Sequence, residues 1–284
     1  MRSSVKLVLL VVLAVAASLG IYLMASAAHA RNRPRAPAAR EEAQPNAASP
    51  VIVELFTSEG CSDCPPADRL LYQLAQTQSV PGAAIIPLEQ HVDYWDSDGW
   101  RDPFSSSQFT HRQEDYVYAF NAPTAYTPQM VVDGAAQFVG SDQRRALAAI
   151  AQAAKTPKAN LQLELRPDAN SSPRSVPLRV SIASLPGGDP KHGADVLLAV
   201  TEDDLASNIT RGENAGVQLN HRAVVRQLRT LGRVDSSGAF TAQPDLSIAD
   251  GWKRENLHVV VFVQDRGTKH ILGASTLSLA DIAK

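Results

Sequence analysis

Cysteine is almost missing from this chain of 284 residues: there are two, Cys61 and Cys64. So few exclude a multi-bridge disulfide framework and a four-cysteine structural zinc site. A surplus of charge is missing too. Twenty-seven basic residues face 29 acidic ones, for a formal net charge of −2, so the chain lacks the basic excess that nucleic acid attracts. Aromatics make up 6%, and Met130 is the only methionine beyond Met24, which leaves no methionine-rich copper face. No internal repeat is visible. Hydrophobic content of 44% and charged content of 20% are ordinary for a globular chain, and the length suits one large or two small domains.

One long apolar run stands at the N-terminus. Arg2 and Lys6 precede the almost wholly apolar stretch Leu7 to Met24, and Ala28 and Ala30 stand in the small-residue register of a signal-peptidase site. Residues 1–30 are expected to be an export signal, cleaved near Arg31 or retained as a membrane anchor, since about 18 apolar residues just span a bilayer. Residues 31–49, rich in Ala, Pro, Arg and Gln, read as a flexible linker. In either case the folded part is expected to be periplasmic or secreted, where two neighbouring thiols pair. A disulfide across two intervening residues closes a tiny loop and stabilises the chain little. That favours redox chemistry over stapling.

The pattern from residue 50 is α/β. Val51 to Phe56 reads as a buried strand. Pro65-Pro66-Ala67-Asp68 opens a helix with proline in its first turn, and Leu70, Leu71, Leu74 and Ala75 give it an apolar face. Ala83 to Leu88 is a second strand, so the three elements form a right-handed βαβ unit with parallel strands. Residues 96–122 form an insertion, with a helix over Ser105 to Phe120. A strand over Gln129 to Val132, an Asp133-Gly134 hairpin turn, a return strand ending at Val139-Gly140 and a helix over Ser141 to Lys155, capped by Ser141 or Asp142, complete residues 50–157. Beyond residue 158 short alternating strands appear at 161–165, 178–182, 196–200, 259–263 and 271–277, punctuated by Pro, Gly, Asn and Asp. Residues 158–284 therefore read as a β-rich, sandwich-like domain.

Cys61-Ser62-Asp63-Cys64 follows the first strand and opens the helix, and Thr127-Pro128 precedes the third strand. In these places residues 50–155 resemble thioredoxins and glutaredoxins. The longer motifs Glu54-Leu55-Phe56-Thr57-Ser58-Glu59-Gly60-Cys61, His91-Val92-Asp93-Tyr94-Trp95, Asp102-Pro103-Phe104, Thr127-Pro128-Gln129 and Thr210-Arg211-Gly212-Glu213-Asn214 are similar to those of a family of secreted bacterial proteins of unknown function. The resemblance implies a thioredoxin-like domain, a cis-proline at Pro128 and a redox role, without naming a substrate.

Each candidate residue also has a physical reading. Cys61, at or before a helix N-terminus, is the expected attacking thiolate, and Cys64 the more buried resolving thiol. Asp63, with Glu59, disfavours a nearby thiolate, which predicts a mild or reducing couple; Asp63 also reads as a helix cap. Thr127, before Pro128, is expected to pair with substrate in strand fashion. Glu54 sits one residue out of register with the buried acid of thioredoxins and reads either as a proton relay or as a paired structural acid. His91, Asp93 and Trp95 fall at the strand end that carries Cys61, where ligands gather in open α/β sheets. They read as substrate contacts or as anchors of the insertion. His111 is read as solvated, and Arg211 with Glu213 as a loop-fixing salt bridge.

The leading expectation is an exported thiol–disulfide oxidoreductase acting on protein or small-molecule thiols and disulfides. It has a membrane redox partner, touches the membrane only through an uncleaved N-terminus, and needs no cofactor and no nucleic acid. Two alternatives stand beside it: a copper or zinc module built from Cys61, Cys64 and His91, and a non-catalytic interaction protein on a thioredoxin scaffold.

Overall fold

The computed structural model describes residues 48–166, 174–186 and 191–282. The expected export signal at 1–30 and nearly all of the expected linker at 31–49 lie outside the described residues. Among those described, no helix is long and apolar enough to cross a membrane.

The fold is mixed α/β and mostly sheet. Its first half runs β1 (Ser49–Thr57), α1 (Pro65–Thr77), β2 (Ala83–His91), α2 (Ser107–Ala119), β3 (Gln129–Val132), β4 (Ala136–Val139) and α3 (Gln143–Ala153). The second half adds β5 (Leu161–Leu165), β6 (Ser175–Ile182), β7 (Ala194–Glu202), β8 (Leu205–Asn208), β9 (Gln218–His221), β10 (Val224–Arg233), β11 (Phe240–Ala242), β12 (Asp245–Ser247), β13 (Leu257–Asp265) and β14 (Ile271–Ser278). The two halves of the protein meet in one eight-stranded sheet of order β14-β13-β7-β10-β2-β1-β3-β4. The division expected at 157/158 falls inside this sheet, because β10 lies between β7 and β2 and hydrogen-bonds to both.

Strand alternation assigns the layers. On one face Val51, Val53 and Leu55 of β1 pack with Ile85 of β2 and with α1 and α3. Further along that face, Val196, Leu198 and Val200 of β7 and Val259, Val261 and Val263 of β13 meet a smaller sheet of β5, β6, β11 and β12 through Leu161, Leu178, Val180 and Leu246. The opposite face buries Ile52, Ile86, Leu88, Ala199 and Phe262 against Phe109 of α2. Helix α1 forms because Pro65 and Pro66 occupy the first turn and Ala67, Leu70, Leu71 and Leu74 recur on one side. Burying each of those leucines contributes about 1.5–3 kcal/mol. The helix stops at Gln78, which turns left-handed (φ 45°) and clamps the backbone of Ile85 with its side-chain amide.

The Asp133-Gly134 turn has positive φ at both residues (52° and 62°), as a type I′ hairpin requires. No larger residue fits at Gly134, since a Cβ there would sit 1.9 Å from the Lys269 carbonyl oxygen. Two expectations need adjusting. Strand β2 continues through Glu89 and Gln90 to His91, paired with β1 and with the Ala223–Val224 backbone. Strands β8 to β12 were not anticipated, and β10 among them joins the halves.

Candidate functional site

Cys61 and Cys64 form a disulfide with a Cα–Cα distance of 5.4 Å. It lies between the end of β1 and the start of α1, with Cys64 itself at the N-cap position and no side chain capping the helix there. Asp63 is exposed and does not serve as the expected cap. Pro65 and Pro66 have no N–H, so two of the donors that would favour a thiolate at this helix end are missing.

The Thr127–Pro128 peptide is cis. It is packed against the same helix. A Cβ built on Gly140 would approach Leu55 Cδ1 at 2.7 Å, Ala67 Cβ at 3.0 Å and Pro128 Cβ at 3.1 Å, so only glycine lets the Pro128 strand close onto α1. Trp95 lies against the cysteine approach loop, 3.1 Å from where a Gly60 Cβ would be, and donates its indole N–H to Thr127 Oγ1 at 2.8 Å.

A loop from the second half covers the disulfide. The Asn214 amide donates to the carbonyls of Glu59 and Cys61 at 2.8 and 3.0 Å, and Glu213 Oε2 accepts the Ser62 N–H at 3.0 Å. Hydrogen bonding to Ser62, through its side chain first and its backbone N–H second, holds the Glu213 carboxyl below its usual range. The expected pairing of Arg211 with Glu213 is replaced by this contact, because the backbone of the cysteine loop offers a free donor within reach. The loop is exposed apart from Asn214. Beneath it Cys61 is 1% exposed and Cys64 fully buried.

Under the cysteine loop, on the α1 face of the sheet, lies a cluster of buried polar side chains. His91 Nδ1 stands 2.7 Å from Asp102 Oδ2, whose other contact is the Glu59 N–H at 2.8 Å. His221 bridges Glu89 Oε1 (2.7 Å) and Glu59 Oε1 (3.1 Å), and Glu59 Oε2 accepts the Trp100 indole N–H at 2.8 Å. Asp68, one turn after Cys64, accepts the Thr57 hydroxyl at 2.6 Å. Burial pushes the Asp68 carboxyl up, and the Glu89 charge adds to the shift, bringing it to about 7. For Glu89 burial also works upward, but the charge and hydrogen bond of His221 outweigh it and bring it down to about 2. Burial opposes protonation of both histidines. The Glu89 charge nevertheless raises His221 to about 10, and Asp102 holds His91 well above its ordinary value.

With this geometry established, comparison places the chain. A family model described as "Protein of unknown function (DUF1223)" matches residues 52–264. The chain belongs to that family. A crystal structure of an Agrobacterium tumefaciens protein is similar to this DUF1223 chain at 26% identity and a TM-score of 0.58, covering 82% of this chain and 96% of that one. No curated protein matches it.

In this DUF1223 protein the residues singled out from the sequence fall into two groups. Cys61, Cys64, Thr127, Pro128 and Trp95 come together around the start of α1. Glu54 does not join them, because its side chain leaves β1 on the opposite face. There it receives two hydrogen bonds from Arg112 at 2.6 and 2.9 Å, one from Gln90 at 2.7 Å and one from the Tyr116 hydroxyl. Asp93 accepts the Thr110 hydroxyl at 2.6 Å and so anchors α2. His91 is fully buried and turned toward Asp102 and Glu89, away from Asp93. His111 is exposed. Among the described residues, Glu89, His91 and His221 are the three such side chains whose ligand atoms lie within 4.8 Å of one another; neither cysteine sulfur belongs to the group. Asp68 is not among the residues expected at the site; its helical spacing of four from Cys64 is the signal that finds it. Glu59, Asp102 and Asn214 carry no local signal that would have assigned their roles.

Proposed function

We propose that this chain is an exported thiol–disulfide oxidoreductase, periplasmic or secreted, that works through Cys61 and Cys64. The observation that carries this reading is a disulfide at the entrance of α1 with Thr127-Pro128 packed against that helix. The strand order β2-β1-β3-β4, with β2 parallel and β3 antiparallel to β1, supports a thioredoxin-like plan for residues 49–153. The basic, apolar and small-residue sequence of positions 1–30 supports export.

In the oxidised form a substrate thiolate attacks Cys61 Sγ. The Cys61–Cys64 bond breaks and its electron pair leaves on Cys64, giving a mixed disulfide and a buried thiolate. Asp68, one turn along the helix and with a pKa of about 7, is placed to hand that thiolate a proton and to take it back on the return step. A second substrate thiolate then attacks the mixed disulfide and leaves the protein as a dithiol. A membrane redox partner reoxidises it; run in reverse, the same steps reduce a substrate disulfide. Cys61 is taken as the attacked sulfur because it precedes the helix beside the exposed Ser62, whereas Cys64 is itself the N-cap of α1 and fully buried. A groove of about 570 Å³ between α1 and β9, lined by Pro65, Asp68, Tyr72 and Leu219, starts at Pro65, the residue after Cys64, and gives a thiol-bearing peptide or small molecule a place to lie. Strand-like pairing with Thr127 would orient a polypeptide substrate.

The Cys64→Ser variant tests the reading. It is expected to accumulate a mixed disulfide on Cys61 when incubated with oxidised glutathione or a disulfide-bonded protein, while Cys61→Ser accumulates none. A Cys64→Ser protein that stays a free thiol under these conditions contradicts it.

A further inference from the structure

The exchange reaction leaves the two histidines under the disulfide without a role. Glu89 Oε1 lies 2.7 Å from His221 Nδ1 and 3.3 Å from His91 Nε2, so one carboxylate oxygen and two ring nitrogens converge on the same point. The opposite atom of each side chain is held from behind. His91 Nδ1 meets Asp102 at 2.7 Å, His221 Nε2 meets Glu59 at 3.1 Å, and Glu89 Oε2 accepts the Arg222 N–H at 3.1 Å. This is the outer-shell arrangement that fixes the tautomer and strengthens the basicity of metal-ligating imidazoles. A second observation points the same way. His91 Nε2 is buried, lacks hydrogen-bond geometry to Glu89 and has no other hydrogen-bond partner, which a buried ring nitrogen rarely tolerates.

We propose that Glu89, His91 and His221 together bind one divalent late first-row transition-metal ion, with zinc the best match. Two imidazoles and a carboxylate suit zinc and provide three of its usual four donors. The three residues are at most 2% exposed, and the Phe104 ring stands edge-on to both imidazoles at 5.4 and 5.6 Å, so the ion is enclosed. It ties the end of β9, which carries His221, to β2, which carries Glu89 and His91. Through Glu59 and Asp102 it also braces the loop that leads into Cys61. The cysteines take no part, and the site stands whether or not the disulfide exchanges.

The test uses the full-length oxidised protein, stripped with a chelator and titrated with Zn²⁺ by calorimetry, with Co²⁺ as an optical reporter. One ion per chain is expected, with equal affinity in a Cys61→Ser/Cys64→Ser double variant, and a Co²⁺ spectrum lacking a thiolate charge-transfer band. His221→Ala is expected to weaken binding at least about 100-fold, and Asp102→Asn, which among the three ligands contacts His91 alone, roughly 10–100-fold. Should His221→Ala fail to fold, the near-isosteric Glu89→Gln, with folding checked by circular dichroism, carries the test. Wild-type protein that takes up no stoichiometric Zn²⁺ overturns the proposal. So does a folded Glu89→Gln variant with unchanged affinity, or loss of the ion in the double cysteine variant.

Discussion

In the proposed exchange, substrate reaches Cys61 only when the loop carrying Glu213 and Asn214 moves, and Asn214→Ala tests this directly. The Asn214 amide makes two buried hydrogen bonds to the cysteine loop. At about 0.5–1.5 kcal/mol net for each, the closed state loses roughly 1–3 kcal/mol when they are removed. With about 1.4 kcal/mol per factor of ten, the open fraction rises roughly 5- to 140-fold. If opening is rare and fast compared with exchange, the rate of reduction by dithiothreitol rises by the same factor. The assay follows free thiols by maleimide labelling under excess reductant, in the parent and in Asn214→Ala, with circular dichroism confirming that both are folded. A rate within twofold of the parent would refute the reasoning and show that reductant reaches the disulfide without loop opening.

Other consequences follow from the buried groups. The fold raises the Asp68 carboxyl from 3.8 to about 7 and so favours its protonated form. Its contribution is fully present below about pH 4 and is lost as pH rises through 7. In metal-free protein, denaturant titrations at pH 5 and pH 8 should show the parent losing roughly 2–3 kcal/mol that Asp68→Asn keeps; parallel behaviour would contradict this. Arg112→Ala strands the buried Glu54 carboxylate and should cost about 3–5 kcal/mol in urea unfolding. Its disulfide reduction rate should not change, whereas a large change would link Glu54 to the cysteines. Gly140→Ala forces a methyl between Leu55, Ala67 and Pro128; a loss of about 1–3 kcal/mol is expected, and an unchanged urea midpoint would show that this contact is looser than described.

The parts of the fold that could be read from the sequence are those specified locally. The β-branched run from Val51, the proline-opened helix with leucines at helical spacing and the Asp133-Gly134 turn each carry their own signal, and the structure has β1, α1 and a type I′ turn there. The position of Glu54 was half legible, since a one-residue offset in a strand moves a side chain to the other face. Its partner Arg112 lies 58 residues away and has no sequence signature. Strand β10 was missed because Arg226, Gln227 and Arg229 interrupt its alternation and two register shifts break its pairing with β7. The covering loop and the histidine cluster depend on contacts across 132 to 162 residues. Only folding brings Asn214 to Cys61 or His221 to Glu89.

The reduction potential of the Cys61–Cys64 couple, measured by equilibrating metal-free protein against glutathione and dithiothreitol buffers, tests the central claim most directly. The missing N–H donors at Pro65 and Pro66 and the nearby carboxylates withhold support from a thiolate. The couple should therefore show a reversible two-electron transition toward the reducing side of the roughly −120 to −270 mV spanned by exchange catalysts. A disulfide that stays oxidised below about −300 mV would be a structural link and would contradict the account.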